Sequence, residues 1–235
     1  MHHTDELLIY GDKAAGFFAW SRLDPPPRYA NLTTMLDFAH KYLTDRIQTY
    51  SKDIAICLTP DAEGRHAYFP ALLASLSFLD LFSCLKAGDL EPKGMQHVLE
   101  YSRSHLPQPA YDDFHMTLLW HMFRHKTVHT SQPYGTFDTY ARQGTLRQKP
   151  RMKVTWRVSE EMNKPALSLQ SESGTLPNRA PWPTPHTHRL TIHLPQLQHD
   201  LIRSVNGPNG YLDELKGDTN ALDRFTRCME DIFPK

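Results

Sequence analysis

From Leu32 to Tyr50 the apolar positions Leu32, Met35, Leu36, Ala39, Tyr42, Leu43 and Ile47 recur with a period of about 3.6, which predicts an amphipathic helix with Asn31 as its N-cap. A short apolar piece, Ile54 to Leu58, ends at Pro60 and Asp61. Between Pro70 and Ala87 the residues Leu72, Leu73, Leu76, Phe78, Leu79, Leu81, Phe82 and Leu85 nearly encircle a helix, placing it at the centre of a bundle with Gly88 as its stop. Asp80 within that run calls for a partner. Pro92 opens a helix over 93–105, closed by Pro107 and Pro109, and a further helix runs from Ala110 to Thr130 with Asp112 and Asp113 in its first turn. After Ser131-Gln132-Pro133 the pattern changes. Lys153 to Val158 and Arg189 to His193 gather β-branched residues at strand length, with Ala166 to Leu169 as a third strand. Pro177, Pro181, Pro183 and Pro185 make 171–186 a proline-rich loop; a helix from Pro195 to Val205, a turn at Asn206 to Gly210 and a helical tail from Tyr211 to Phe233 follow.

The fold class is therefore mainly α: a helical bundle over 1–135 and a C-terminal α+β extension over 136–235, with short antiparallel strands plus helices packed on the bundle. At 235 residues the chain can bury one sizeable core, and 26 basic against 26 acidic side chains leave no net charge. That balance argues against tight, nonspecific nucleic-acid binding. No run reaches the roughly 18 apolar residues of a membrane span, and Met1 to Tyr10 has no signal-like pattern, so the expectation is a cytoplasmic chain without a membrane. Cys57, Cys84 and Cys228 are too far apart in sequence for a disulfide framework or a cysteine zinc knuckle.

The most informative stretch is Arg124-His125-Lys126-Thr127-Val128-His129, an R-x4-H string at the end of an apolar helix, with Asp80 on the hydrophobic helix before it. Over Pro70 to Thr130 the chain resembles the HEPN superfamily, helical bundles marked by an Arg, a following polar residue (here His125), a short spacer and a His. The resemblance implies a metal-independent endoribonuclease in a toxin, stress or phage-defence setting. It implies a homodimer whose two motifs face one cleft, an RNA substrate, no cofactor, and a protein partner or antitoxin. Arg124, His129 and His125 would be catalytic, supported by Asp80 and His121. One HEPN branch is silenced by modification of a Tyr two residues after the motif His; Ser131 stands there, so that control is not carried over.

The chemistry fits these residue types. Cleavage without metal deprotonates a 2′-hydroxyl, stabilises a phosphorane and protonates the leaving 5′-oxygen. Histidine exchanges protons near neutral pH, and arginine offers phosphate a fixed donor fork. In an α-helix, however, positions five apart diverge by roughly 140°. Either the helix loosens before Pro133 or a second protomer completes the site.

Two other readings stay open. Arg124 could pair with Asp80 and tie helices together in a noncatalytic interaction module. Alternatively His121, His125 and His129, at i, i+4 and i+8, could chelate a metal with His186, His188 or His193, although no Glu stands beside His121 as in a metalloprotease helix. Lys126, Arg142, Arg147, Lys149, Arg151, Lys153 and Arg157 supply a basic run, free of acids between Asp138 and Glu160, that could guide a phosphodiester backbone, with Trp156 as a stacking face.

Overall fold

A computed structural model describes residues 26–29, 31–92, 94–126, 135–138, 151–175 and 185–234, with backbone alone at 124–126, 135–138, 151, 173–175 and 185–186. The described chain is mainly helical with one small sheet. Thr34 starts the first helix: its hydroxyl accepts from the Asp37 amide at 3.0 Å and donates to Asp37 Oδ2 at 2.7 Å. This reciprocal cap stands three residues after Asn31. Helix α1, Met35–Leu58, runs through the piece expected to be separate, because Ile54 continues the buried stripe of Phe38, Tyr42, Leu43 and Ile47. Then come α2 (Tyr68–Ala87), α3 (Gln96–His105) and α4 (Asp113–Leu119), the last capped by Asp112, which accepts from the His115 amide. The segment Trp120–Lys126 continues α4 as a π-helix.

Strands β1 (Gly135–Asp138), β2 (Arg151–Ser159), β3 (Leu167–Thr175) and β4 (Pro185–His193) form one sheet in the order β1-β2-β4-β3. Outer pairs are antiparallel, but β2 and β4 run parallel, with Val154 beside His188 and Trp156 beside Leu190. The expected all-antiparallel arrangement is thus corrected: β4 inserts between β2 and β3. Val154, Leu190 and Ile192 on one face of these central strands are buried, as are Thr155 and Thr191 on the other, although Arg157 on that second face is exposed. β3 and β4 also extend into the expected loop, of which 176–184 lies outside the described residues. The chain closes with α5 (Leu194–Asn206), α6 (Tyr211–Gly217) and α7 (Thr219–Ile232).

The chain falls into two interleaved compact units. The first unit comprises Met1–Ala55, Ser77–His105 and Ile202–Lys235; the second comprises Ile56–Leu76 and Leu106–Leu201. Long-range contacts explain why the C-terminal helices belong with the N-terminal ones. Phe225 on α7 lies 6.4 Å from Phe38 and 6.3 Å from Tyr42, ring centre to ring centre. Tyr101 Oη and Ser204 Oγ share a buried hydrogen bond of 3.0 Å. Gly88 ends α2 at φ 76°, and a Cβ there would meet the Arg224 side chain at 2.9 Å, so α7 approaches only because that position is glycine. Arg224 Nε then donates to the Lys86 carbonyl at 2.7 Å, satisfying an end carbonyl of α2.

Among the described residues, Tyr68–Ala87 is the one helix long and apolar enough to cross a bilayer, which the expectation from run length had not allowed. More than half of its most apolar stretch is buried inside the protein.

Glu214 binds three elements of the first unit, accepting from His105 Nε2 at 2.8 Å and pairing with Lys86 and with Arg224. The His105 hydrogen bond, with Lys86 assisting and partial burial opposing, lowers its carboxyl to about 2. A carboxylate held down in the folded state stabilises above its unfolded value of 4.5 and loses that contribution as pH falls through about 2. Urea unfolding of Glu214→Gln should show a flatter pH dependence than wild type between those values; identical slopes would remove Glu214 as the tie.

Candidate functional site

The second unit holds the motif helix and the sheet. Trp120, Met122 and Phe123 are buried on the π-helical segment, while His121 is exposed. Phe123 packs edge-on against Trp156 of β2 at 5.3 Å between ring centres, and 6.4 Å from Phe69. Trp156 is therefore half-buried against the motif helix, and is not the open stacking face expected. Arg124, His125 and Lys126 lie on the π-helical backbone; His129, Arg142, Arg147 and Lys149 lie outside the described residues.

The winding itself bears on the chemistry. A π turn closes i→i+5 hydrogen bonds, so residues five apart come nearer to one face than in an α-helix. Positions four apart also stay near one face of such a turn, so the winding does not separate His121 from His125, while His129, the third of that stripe, lies outside the described residues. His115 is engaged elsewhere, with Nδ1 at 2.8 Å from Asp112 Oδ1 at the α4 cap.

Of the basic run, only Lys153 and Arg157 have described side chains. Trp156 shares its face of the sheet with Met152 and Val154, whereas Lys153 and Arg157 occupy the opposite face. There a polar cleft is lined by Arg157, Lys164, Ser168, Glu172, Arg189 and His193. Arg189 is held at 2.7 Å by Glu172, and the Thr187 hydroxyl accepts from the Lys153 amide at 3.0 Å and donates to the Lys153 carbonyl at 3.3 Å. His193 is 8% exposed, and its buried Nδ1 has no hydrogen-bond partner among the described residues. Burial pushes its imidazole down from the ordinary value of 6.5, against the nearby Glu161. Two guanidiniums and a neutral imidazole suit small polar or anionic groups, but this surface turns away from the face on which Phe123 packs.

Asp80 belongs to the first unit. Its Oδ1 lies 3.0 Å from His97 Nε2 and 3.9 Å from Cys84 Sγ. Sequence alone does not single out His97: Asp80 and Cys84 stand four apart on one helix, but nothing local shows which later residue reaches them.

Neither protein-family models, nor curated proteins, nor solved structures give a match to this chain.

The His193 environment is directly measurable. Its ring should titrate below 6.5 by NMR, and because the unfolded chain then takes up the proton first, stability should fall as pH drops from about 6.5 toward the lower folded value. His193→Asn should flatten that slope; a folded value at or above 6.5 would contradict the burial argument.

Proposed function

We propose that the chain is a metal-independent endoribonuclease of HEPN type, acting as a cytoplasmic homodimer on RNA. The observation that carries this reading is the π-helical winding over Trp120–Lys126, which includes Arg124. Winding of this kind closes i→i+5 hydrogen bonds and so lessens the roughly 140° divergence that an α-helix imposes on positions five apart, the spacing of Arg124 and His129. Arg124 would then brace the non-bridging phosphate oxygens. His129 would exchange the proton of the attacking 2′-hydroxyl or the leaving 5′-oxygen, and the partner copy's motif would supply the complementary group. His125 stands between them as the polar residue of the motif, and Lys126 adds positive charge beside it. A toxin, stress or phage-defence setting, with an antitoxin-like protein partner, follows from the same family resemblance.

The burial of Phe123 against Trp156 supports the reading in a second way, because it anchors the residue just before Arg124 to the sheet.

Removing a positioned acid–base group typically costs about 10²–10⁴ in rate. Arg124→Ala and His129→Ala should each lower cleavage of a labelled RNA pool by at least about a hundredfold, while the far-UV circular dichroism is unchanged. With chelator present the wild-type products should end in 2′,3′-cyclic phosphate. Full activity in both variants would reject the assignment, and a wild type that leaves every RNA intact would point to a noncatalytic interaction module.

A further inference from the structure

We infer that Asp80, Cys84 and His97 form a binding site for a single divalent transition-metal ion, with zinc the best match. The site lies in the first unit and does not depend on the nuclease reading. One donor atom from each of the three residues lies within 4.8 Å of the other two. Asp80 and Cys84 are four apart on α2, which puts both on one face one turn apart, and His97 comes from the second position of α3. Gly88, at φ 76°, and Gly94, at φ 74°, shape the connection that brings the two helices' ends together.

The spacing suits coordination. A tetrahedral ion with bonds of about 2.3 Å to sulfur and about 2.0–2.1 Å to nitrogen and oxygen sets its ligands roughly 3.3–3.6 Å apart. The observed 3.0 Å between Asp80 Oδ1 and His97 Nε2, and 3.9 Å between Asp80 Oδ1 and Cys84 Sγ, bracket that range. The third pair, Cys84 Sγ and a ring nitrogen of His97, lies within 4.8 Å, so rotation of these two side chains toward the ion would close the shell. The Leu90 carbonyl oxygen, 3.9 Å from Cys84 Sγ, offers a fourth donor. Cys84 and His97 are 6% and 7% exposed, whereas the Asp80 side chain is 28% exposed, giving two sheltered ligands and one open toward an entering ion.

The donor set chooses the metal class. Thiolate and imidazole favour zinc and its first-row neighbours, while magnesium and calcium take oxygen shells. A catalytic Cys–His–Asp relay fits less well, since it places the imidazole between thiol and carboxylate with one nitrogen on each. Here a single carboxylate oxygen meets both the imidazole and the thiol, so the three converge on a point. On binding, the Cys84 S–H bond breaks, a sulfur–metal bond forms, and the proton leaves to solvent.

The test uses the full chain without an added histidine tag, stripped by chelator and titrated with Co²⁺ or Zn²⁺ alone. One equivalent of Co²⁺ should produce a near-ultraviolet thiolate-to-cobalt charge-transfer band, and Zn²⁺ should bleach it. Cys84→Ser should abolish the band, and His97→Ala should weaken binding about a hundredfold or more. Asp80→Asn, which keeps its size and its contact with His97, should weaken binding while the thermal melt in chelator stays close to wild type. Cys228→Ser should retain the band, although Cys228 Sγ sits only 3.6 Å from the Cys84 carbonyl. Absence of the band in wild type, its survival in Cys84→Ser, or equal Co²⁺ affinity in wild type and folded Asp80→Asn would overturn the proposal.

Discussion

Val154, Leu190 and Ile192 are fully buried on one face of the sheet, and because successive strand residues alternate sides, their burial fixes Arg157, Arg189 and Thr191 on the other. A shift of one residue in the β2–β4 register would exchange the two sets and bury guanidiniums in the apolar layer. This constraint decides which chemistry can share a surface in the second unit. The apolar face carries Trp156 and receives Phe123 of the motif helix, so the residue preceding Arg124 is seated by packing. The polar face gathers Arg157, Arg189, Glu172 and the buried His193 into a separate cleft. Lys153 and Arg157 thus stand on the face opposite Trp156, and the nuclease reading rests on the motif helix itself.

The first unit depends on charge pairs and ring contacts between segments far apart in sequence. Glu214 collects His105, Lys86 and Arg224, while Phe225 meets Phe38 and Tyr42. Asp80, expected to need a partner because it interrupts an apolar run, has an imidazole and a thiol beside it. Burial with a neighbouring carboxylate pushes the Cys84 thiol up to about 12, so without a bound cation it stays protonated. The same polar trio thus satisfies a half-buried acid at rest and presents three convergent donors to an ion.

Local patterns were legible where burial follows a simple period. The apolar girdle of Pro70 to Ala87 and the β-branched runs at Lys153 to Val158 and Arg189 to His193 reappear in α2, β2 and β4. Reading stopped short where the outcome depends on distant partners. Ile54 extends α1 because it is buried, which no residue near it reveals. The parallel pairing of β2 with β4 and the return of α6 and α7 to the N-terminal helices depend on side chains such as Leu190 and Phe225 finding partners tens of residues away. The π winding at Trp120–Lys126 departs from the period that marked this stretch as an ordinary helix. For the sites, Arg124 and Asp80 stood out as single residues, whereas His97 and His193 acquire meaning only from what surrounds them.

The central claim is that RNA is cut by attack of its own 2′-hydroxyl, and one substitution in the substrate tests this without altering the protein. Once the cleavage position in a labelled RNA is mapped, the nucleotide on the 5′ side of that bond is replaced by its 2′-deoxy form and the cleavage rate at that bond is measured. The account predicts complete loss of cut product there with binding retained. Continued cleavage at the deoxy position would contradict it.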